Sequence, residues 1–345
     1  MSSPIFFSIL LPTKNRSHLV GQAIESVLNQ TFGDYELLIA DNDDDMYATK
    51  NVVSSFDDSR IQYIRTGKLS MVENWEVARK QANGQFLTVL EDKQSYSKFT
   101  LESLHDLIIS KSAEVVTWKV NFSTKLKKPH NQYVPPDHFK PINSEHILSS
   151  YIKGRRVWNY LPRSINSCAS KKLIDKIAEL TKDTTFYNYY SPDLVSAFKQ
   201  LFATNTIYYS NKRLTVITSN ESNGFLNSTN KKASEKYFSG AEIIDESIAI
   251  KNVPIKNSSI TSNSVYSDYL GVKQQFGVEN KSLIMSQSTY AFMCYKDIDG
   301  FKKHGGKEIY LSKKESLDYY VENIMSAGER RKYFRKILFR KLKGK

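Results

Sequence analysis

The chain has 345 residues, 40% of them hydrophobic and 12% aromatic, enough to fill a core in one large domain or two smaller ones. No stretch approaches the roughly 18 consecutive apolar residues of a membrane span, and two cysteines outside any CxxC, Cys168 and Cys294, argue against a disulfide framework or a structural zinc site and fit a reducing cytoplasm. The net charge of +13 is uneven: residues 328–345 hold nine Lys or Arg against one Glu, so the basic character is mostly a tail and not a nucleic-acid signature.

The opening MSSPIFFSILLP has neither a basic n-region nor a small-residue cleavage site, so it reads as a strand and not a signal peptide. That strand is Phe6 to Leu11, ended by Pro12. Ser17 is placed to cap a helix carrying Val20, Ile24, Val27 and Leu28 on one face. Tyr35 to Ala40 is a second apolar strand, running into Asp41, Asn42, Asp43, Asp44 and Asp45. Ile61 to Ile64 is a short third strand, and Ser70 with Glu73 makes a capping box ahead of Trp75, Ala78 and Ala82. Gly84 then opens GQFLTVLEDKQSY, where a buried-type run, Phe86 to Leu90, stops at three charges, Glu91, Asp92 and Lys93. Thr100 is placed to cap a helix with Leu101, Leu104, Leu107 and Ile108 inward, and Val115 to Val120 is a fifth strand. This alternation predicts an α/β fold with a mostly parallel central sheet covered on both faces.

Residues 121–160 read as a loop or insertion, with four prolines between Asn121 and Asn143. A core-like run returns at Ile165 to Ala169, followed by a helix from Lys171 to Leu180. Pro192 suits the first turn of a helix through Leu194, Ala197, Phe198 and Leu201, and Thr206 to Ile217 is strand-like. Ser219 to Ser234 reads as a polar loop, 221–311 as a mixed region, and Ser312 with Glu315 as a capping box that opens a helix burying Leu317, Tyr320, Val321 and Ile324. In the tail, Phe334, Ile337, Leu338 and Leu342 share one helical face. Arg331, Arg335, Lys336, Arg340, Lys341 and Lys343 cover the rest, a pattern suited to an anionic membrane surface or to packing on the protein itself. The expected organisation is a domain over 1–220, the mixed region over 221–311 and a basic amphipathic helix over 312–345.

Two acidic clusters, Asp41 to Asp45 and Glu91 to Asp92, follow parallel strands and so project from one sheet edge, where open α/β sheets bind ligands. There is no GxGxxG after the first strand and no GxxxxGK[ST], HExxH or GxSxG, which argues against dinucleotide oxidoreductases, P-loop ATPases and two hydrolase classes.

FSILLPTKNRSHLVGQAIESVLNQTFGDYELLIADND resembles the opening of glycosyltransferase family 2, the inverting GT-A enzymes that use nucleotide sugars. SMVENWEVARKQANGQFLTVLEDK is similar to the segment leading into that family's acidic metal motif, and SPDLVSAFKQL to the segment carrying its catalytic base. The resemblance implies a Rossmann-like GT-A fold with a helical C-terminal region. It implies that Pro12, Thr13 and Arg16 line the nucleotide pocket, that Asp41 recognises the base and that Asn74 lies near the nucleotide. Asp92 would face the ribose or diphosphate, and Asp193 would be the general base; Glu91 and Lys93, flanking Asp92, are further nucleotide-sugar-binding candidates. The family's metal motif is altered: aligned from Leu90, a metal-binding Asp is replaced by Lys93, followed by Gln94. Three readings stand. The ammonium replaces Mn²⁺ or Mg²⁺, activity is lost, or a one-residue shift makes Glu91 and Asp92 the acidic pair, with Asp92 the metal ligand.

The expected function is transfer of a sugar, UDP-linked by preference, to a glycan or lipid-linked acceptor in surface polysaccharide synthesis by a cytoplasmic, hexosyltransferase-like enzyme, peripheral at the membrane if residues 328–345 bind it. A sugar nucleotidyltransferase is disfavoured because Leu11-Pro12-Thr13-Lys14 is not a Gly-rich loop. The alternative is a non-catalytic nucleotide-sugar or glycan-binding protein on the same fold. No nucleic-acid partner is expected.

Overall fold

The apolar runs near the N-terminus form β1 (Phe7–Thr13), β2 (Tyr35–Asp41), β3 (Ile61–Arg65) and β4 (Phe86–Val89), connected by helices α1 (Ser17–Leu28), α2 (Ala48–Val53) and α3 (Met71–Gln81). The computed structural model describes residues 5–119, 132–219, 246–257, 260–301 and 307–343. The chain divides into two units, Met1–Ile147 with Trp158–Glu221, and Leu148–Val157 with Ser222–Lys345.

In the first unit the helical crossovers make β3, β2, β1 and β4 parallel neighbours. Every residue of β1, β2 and β4 is buried, as a sheet covered on both faces requires. After β5 (Gln94–Tyr96) come α4 (Thr100–Lys111), β6 (Val115–Trp118), β7 (Phe139–Asn143), α5 (Ser144–Ile152), β8 (Ser167–Ser170), α6 (Lys171–Thr181), α7 (Pro192–Ala203), β9 (Thr206–Ser210) and β10 (Thr215–Ile217). The main sheet has eight strands in the order β3-β2-β1-β4-β8-β6-β9-β7, and β5 pairs with β10 in a separate ribbon. Strand β8 is antiparallel to both β4 and β6, and β6 is parallel to β9. The carboxyl ends of β1, β2, β4, β6 and β9 therefore share one edge. This is the α/β, GT-A-like architecture that the sequence predicts.

Glycine is required at position 84. A Cβ there would lie 2.5 Å from the backbone nitrogen of Ser8, while the Gly84 N–H donates to Ser8 Oγ at 2.7 Å. Ser8 Oγ in turn donates to the buried Glu36, which also accepts from the Asn83 N–H and Gln62. The turn before β4 is thus locked onto β1 by backbone contact and a satisfied buried carboxylate.

Several local expectations are corrected. Residue 17 is the first residue of α1, with Arg16 at the cap position and no side-chain cap. Thr100 likewise starts α4, and its hydroxyl donates to Leu214 O at 2.7 Å instead of capping. The region read as a loop over 121–160 contains β7 and α5. Its Pro141 is tolerated because β7 is the outermost strand. The strand-like run 206–217 is two strands in two sheets, broken at Asn211–Arg213. Residues 120–131 and 220–245, with most of the polar loop read after Ser219, lie outside the described residues.

The described part of the second unit is helical, not mixed: α8 (Glu246–Ala249), α9 (Thr261–Gln275), α10 (Gln287–Phe301), α11 (Lys307–Asn323) and α12 (Ala327–Leu342). Tyrosines fill its interior; Tyr290 meets Tyr320 edge-on at 5.3 Å and Tyr266 stacks near Tyr269. Ser312 and Glu315 lie inside α11, which begins earlier, at Lys307. Of the four residues expected inward, Leu317, Tyr320 and Val321 are buried and Ile324 is exposed.

Candidate active site

The pairing register brings the predicted residues together at the carboxyl edge. Thr13 is abreast of Asp41 and Asp41 abreast of Arg65. Strands β1 and β4 pair as far as Leu10 and Val89. Carried three residues further, the same register sets Thr13 opposite Asp92, and the Thr13 hydroxyl donates to Asp92 at 2.9 Å.

Asp92 is buried, and Arg16 approaches its other oxygen at 3.0 Å. Burial pushes its carboxyl pKa up, against the pull of Arg16 and of the Thr13 hydrogen bond. Arg16 is aimed by a tightly folded loop. Asn15 takes a left-handed φ of 56°, which an Asn tolerates. Its N–H donates to the Asp43 carboxylate and its side chain exchanges hydrogen bonds with Asp44. Asp43 is buried and also accepts from Thr49 at 2.7 Å, whereas Asp44 and Asp45 are exposed.

The Asp41 carboxylate is fully buried and engaged by the Tyr63 hydroxyl at 2.5 Å, the Asp43 N–H at 2.8 Å and Arg65 at 2.9 Å. Arg65 closes strand β3, one residue beyond where the apolar run suggested an end, and adds a cation the sequence reading missed. Asn74 is also buried. It donates to Ala40 O at 3.2 Å and accepts from Thr66 at 2.6 Å, tying α3 to the end of β2. Its capping box at Ser70 and Glu73 is present as predicted. Pro12 is the penultimate residue of β1, and Trp75 is buried edge-on against Tyr187.

Beyond Asp92 the chain turns sharply: Gln94 N–H donates to Glu91 O at 2.8 Å, and Lys93 Nζ lies 3.2 Å from Glu91. The main chain of Lys93 is clamped by Thr218, whose N–H and hydroxyl both donate to Lys93 O. Asp193 sits in the first turn of α7 with Arg163 at 3.7 Å. Burial raises its pKa and the charge on Glu91 adds to that, while Arg163 opposes it. Arg163 is buried, which lowers its own pKa. Its loop is fixed by Gln200 donating to Pro162 O and by the Ser164–Ser196 hydroxyl contact. No local pattern marks Arg163; only the fold delivers it to Asp193.

The donor set does not suit a divalent cation. Asp92 is taken up by Arg16 and Thr13, Glu91 faces an ammonium, and no group of three His, Cys, Asp or Glu side chains among the described residues is arranged to hold a metal. The arrangement offers fixed cations along one sheet edge: Arg16 on Asp92, Lys93 on Glu91 and Arg65 on Asp41. On the same edge, beyond the ends of β6 and β9, lies a cavity of about 290 Å³ lined by Lys119, His138, Lys212, Arg213 and Tyr133 among others.

Residues 8–160 match the family model Glycosyl transferase family 2. Over 101 residues the chain is 36% identical to the GalNAc(5)-diNAcBac-PP-undecaprenol beta-1,3-glucosyltransferase of Campylobacter jejuni, covering 28% of this chain and 32% of that protein. Over 96 residues it is 33% identical to the UDP-Glc:alpha-D-GlcNAc-diphosphoundecaprenol beta-1,3-glucosyltransferase WfgD of Escherichia coli, covering 28% and 38%. These matches span only about a third of each relative's length. The crystal structure of S. aureus TarS 1-349 superposes with a TM-score of 0.50 at 14% identity, covering 99% of this chain and 92% of that one, a likeness of fold.

Proposed function

We propose, from the match of residues 8–160 to the Glycosyl transferase family 2 model, that the chain is an inverting hexosyltransferase of that family. It moves a sugar from a nucleoside diphosphate, UDP by preference, to a lipid-linked diphosphate glycan in surface polysaccharide synthesis at the cytoplasmic face. The observation that carries this reading is the meeting of Thr13, Arg16, Asp41 and Asp92 at one carboxyl edge of the sheet. Asp193, with Arg163 at 3.7 Å, is a carboxylate whose pKa burial raises. In the reaction Asp193 takes the proton of the acceptor hydroxyl, whose oxygen bonds to the anomeric carbon from the face opposite the donor. The bond to the diphosphate breaks, and the nucleotide leaves with that electron pair. Arg16 and Lys93 stabilise the negative charge that develops, in place of a divalent cation. Thr13 and Asp92 hold Arg16, and Asp41 holds Arg65 beside the base or ribose.

Two things support the acceptor class. The relatives from C. jejuni and E. coli are named for diphosphoundecaprenol acceptors. The cavity lined by Lys119, Lys212 and Arg213 supplies cations on the same sheet edge. The test is release of UDP from UDP-glucose and other UDP-sugars, with and without an undecaprenyl-diphosphate sugar. Acceptor-dependent release that Asp193→Asn removes supports transfer. Binding of UDP without release under any acceptor would mean a binding protein and overturn it.

A further inference from the structure

Helix α12 carries an uncovered apolar face. Its inner side is fastened to α10: Tyr333 is buried, Lys336 donates to Thr289 at 2.7 Å, and Arg340 pairs with Asp299 at 3.1 Å. Glu329 accepts from the Ser288 N–H at 2.9 Å. At 3.6 residues per turn, Phe334, Leu338, Phe339 and Leu342 fall on the side away from Tyr333 and Arg340. They are 56%, 58%, 59% and 77% exposed. The outward stripe thus differs from the one read in the sequence: Ile337 turns partly inward and Phe339 joins the outer face. Arg331 and Arg335 are exposed within that face, between Leu338 and Phe339 around the helix, and Lys341 and Lys343 are exposed at its margins, with Lys343 Nζ 4.3 Å from the Phe339 ring centre. The only acid of the helix, Glu329, is on the inner side.

We propose that this face of α12 docks on an anionic phospholipid bilayer, with Phe334, Leu338, Phe339 and Leu342 at the acyl boundary and the interleaved Arg331 and Arg335 and flanking Lys341 and Lys343 reaching up to the headgroups. The charge pattern selects this occupant. A second copy of the chain would set like charges against each other, and a nucleic acid would leave four large apolar side chains in water. A bilayer of anionic lipid satisfies both components, with long basic side chains reaching to the headgroup level. The inference concerns attachment only and does not depend on the transfer reaction.

The test is co-sedimentation of the full chain with vesicles of phosphatidylcholine alone or with about 30 mol % phosphatidylglycerol. Binding is expected only to the anionic vesicles and is expected to fall with added salt. Phe334→Ser with Leu338→Ser, and separately Arg331→Glu with Arg335→Glu, should each weaken it at least about tenfold, since both components are needed. All four side chains point outward, so the variants should keep the parent's circular dichroism and melting temperature. Failure of the parent to sediment at low salt, or parent-like binding by folded variants, would overturn the proposal. So would an RNA homopolymer that binds the parent and the Phe334→Ser, Leu338→Ser variant equally while the parent ignores the vesicles.

Discussion

Arg16 and Asp92 meet at 3.0 Å at the edge of the parallel sheet, bridging the loop after β1 to the turn after β4. The ion pair opposes the desolvation that pushes the pKa of this buried carboxylate up. Arg16→Gln should therefore move the Asp92 pKa further up and loosen the donor site. UDP affinity is expected to fall by about 1–3 kcal/mol, the scale of removing a charged hydrogen-bond partner from a buried site. Isothermal calorimetry on folded protein checks this, and an unchanged dissociation constant would count against Arg16 as a diphosphate contact.

The family resemblance sets Lys93 at the position of a metal-binding acid, and Glu91 lies 3.2 Å from its Nζ. Turnover is expected to survive EDTA, whereas Lys93→Ala should lower it by about 10²–10³, the scale of removing one preorganised charge from a transition state. A strict requirement for added Mn²⁺ in the parent would instead favour Glu91 and Asp92 as a metal pair.

Asp193 should set the acidic limb of the pH profile. Its pKa is raised by burial, so the ionised base is lost, as pH falls, at a higher pH than for an ordinary carboxylate. The limb in kcat/KM should therefore lie above the usual carboxylate range. Asp193→Asn should keep UDP affinity and cut kcat by about 10²–10⁴.

Gly84→Ala tests the packing beneath the site. The added methyl would meet the backbone of Ser8 at 2.5 Å and of Phe7 at 2.7 Å, which a rotamer change cannot relieve. A loss of about 1–3 kcal/mol or more in urea unfolding is expected, the range for forced overpacking.

The parallel half of the fold was legible because β1, β2 and β4 are buried on both faces and so appear as unbroken apolar runs. Their carboxyl ends then located Asp41 and Asp92 by topology, and the family resemblance added Thr13. What stayed hidden depends on tertiary partners. Asp43 looks like one of a string of solvated acids until the loop at Asn15 folds over it. Arg163 has no periodic or motif signal, because its partner Asp193 lies thirty residues further along the chain. Ser312 and Glu315 have capping-box spacing, but residues three apart also face each other within a helix, so the pattern alone does not mark a start. Strand β7 was masked by its proline, which only an edge position allows.

Strand order also limits how far the recognisable stretch can be separated from the rest. The family match ends at residue 160, yet β8, the outer neighbour of β4, is Ser167–Ser170. Strand β6 lies between β8 and β9, so a fragment cut at residue 160 would leave it without either neighbour. The clamp that Thr218 places on Lys93 would go as well, together with Arg163 and Asp193. Such a fragment would keep the motif and lose the proposed base. Its open β4 edge would make it a template for aggregation and not a portable nucleotide-binding module.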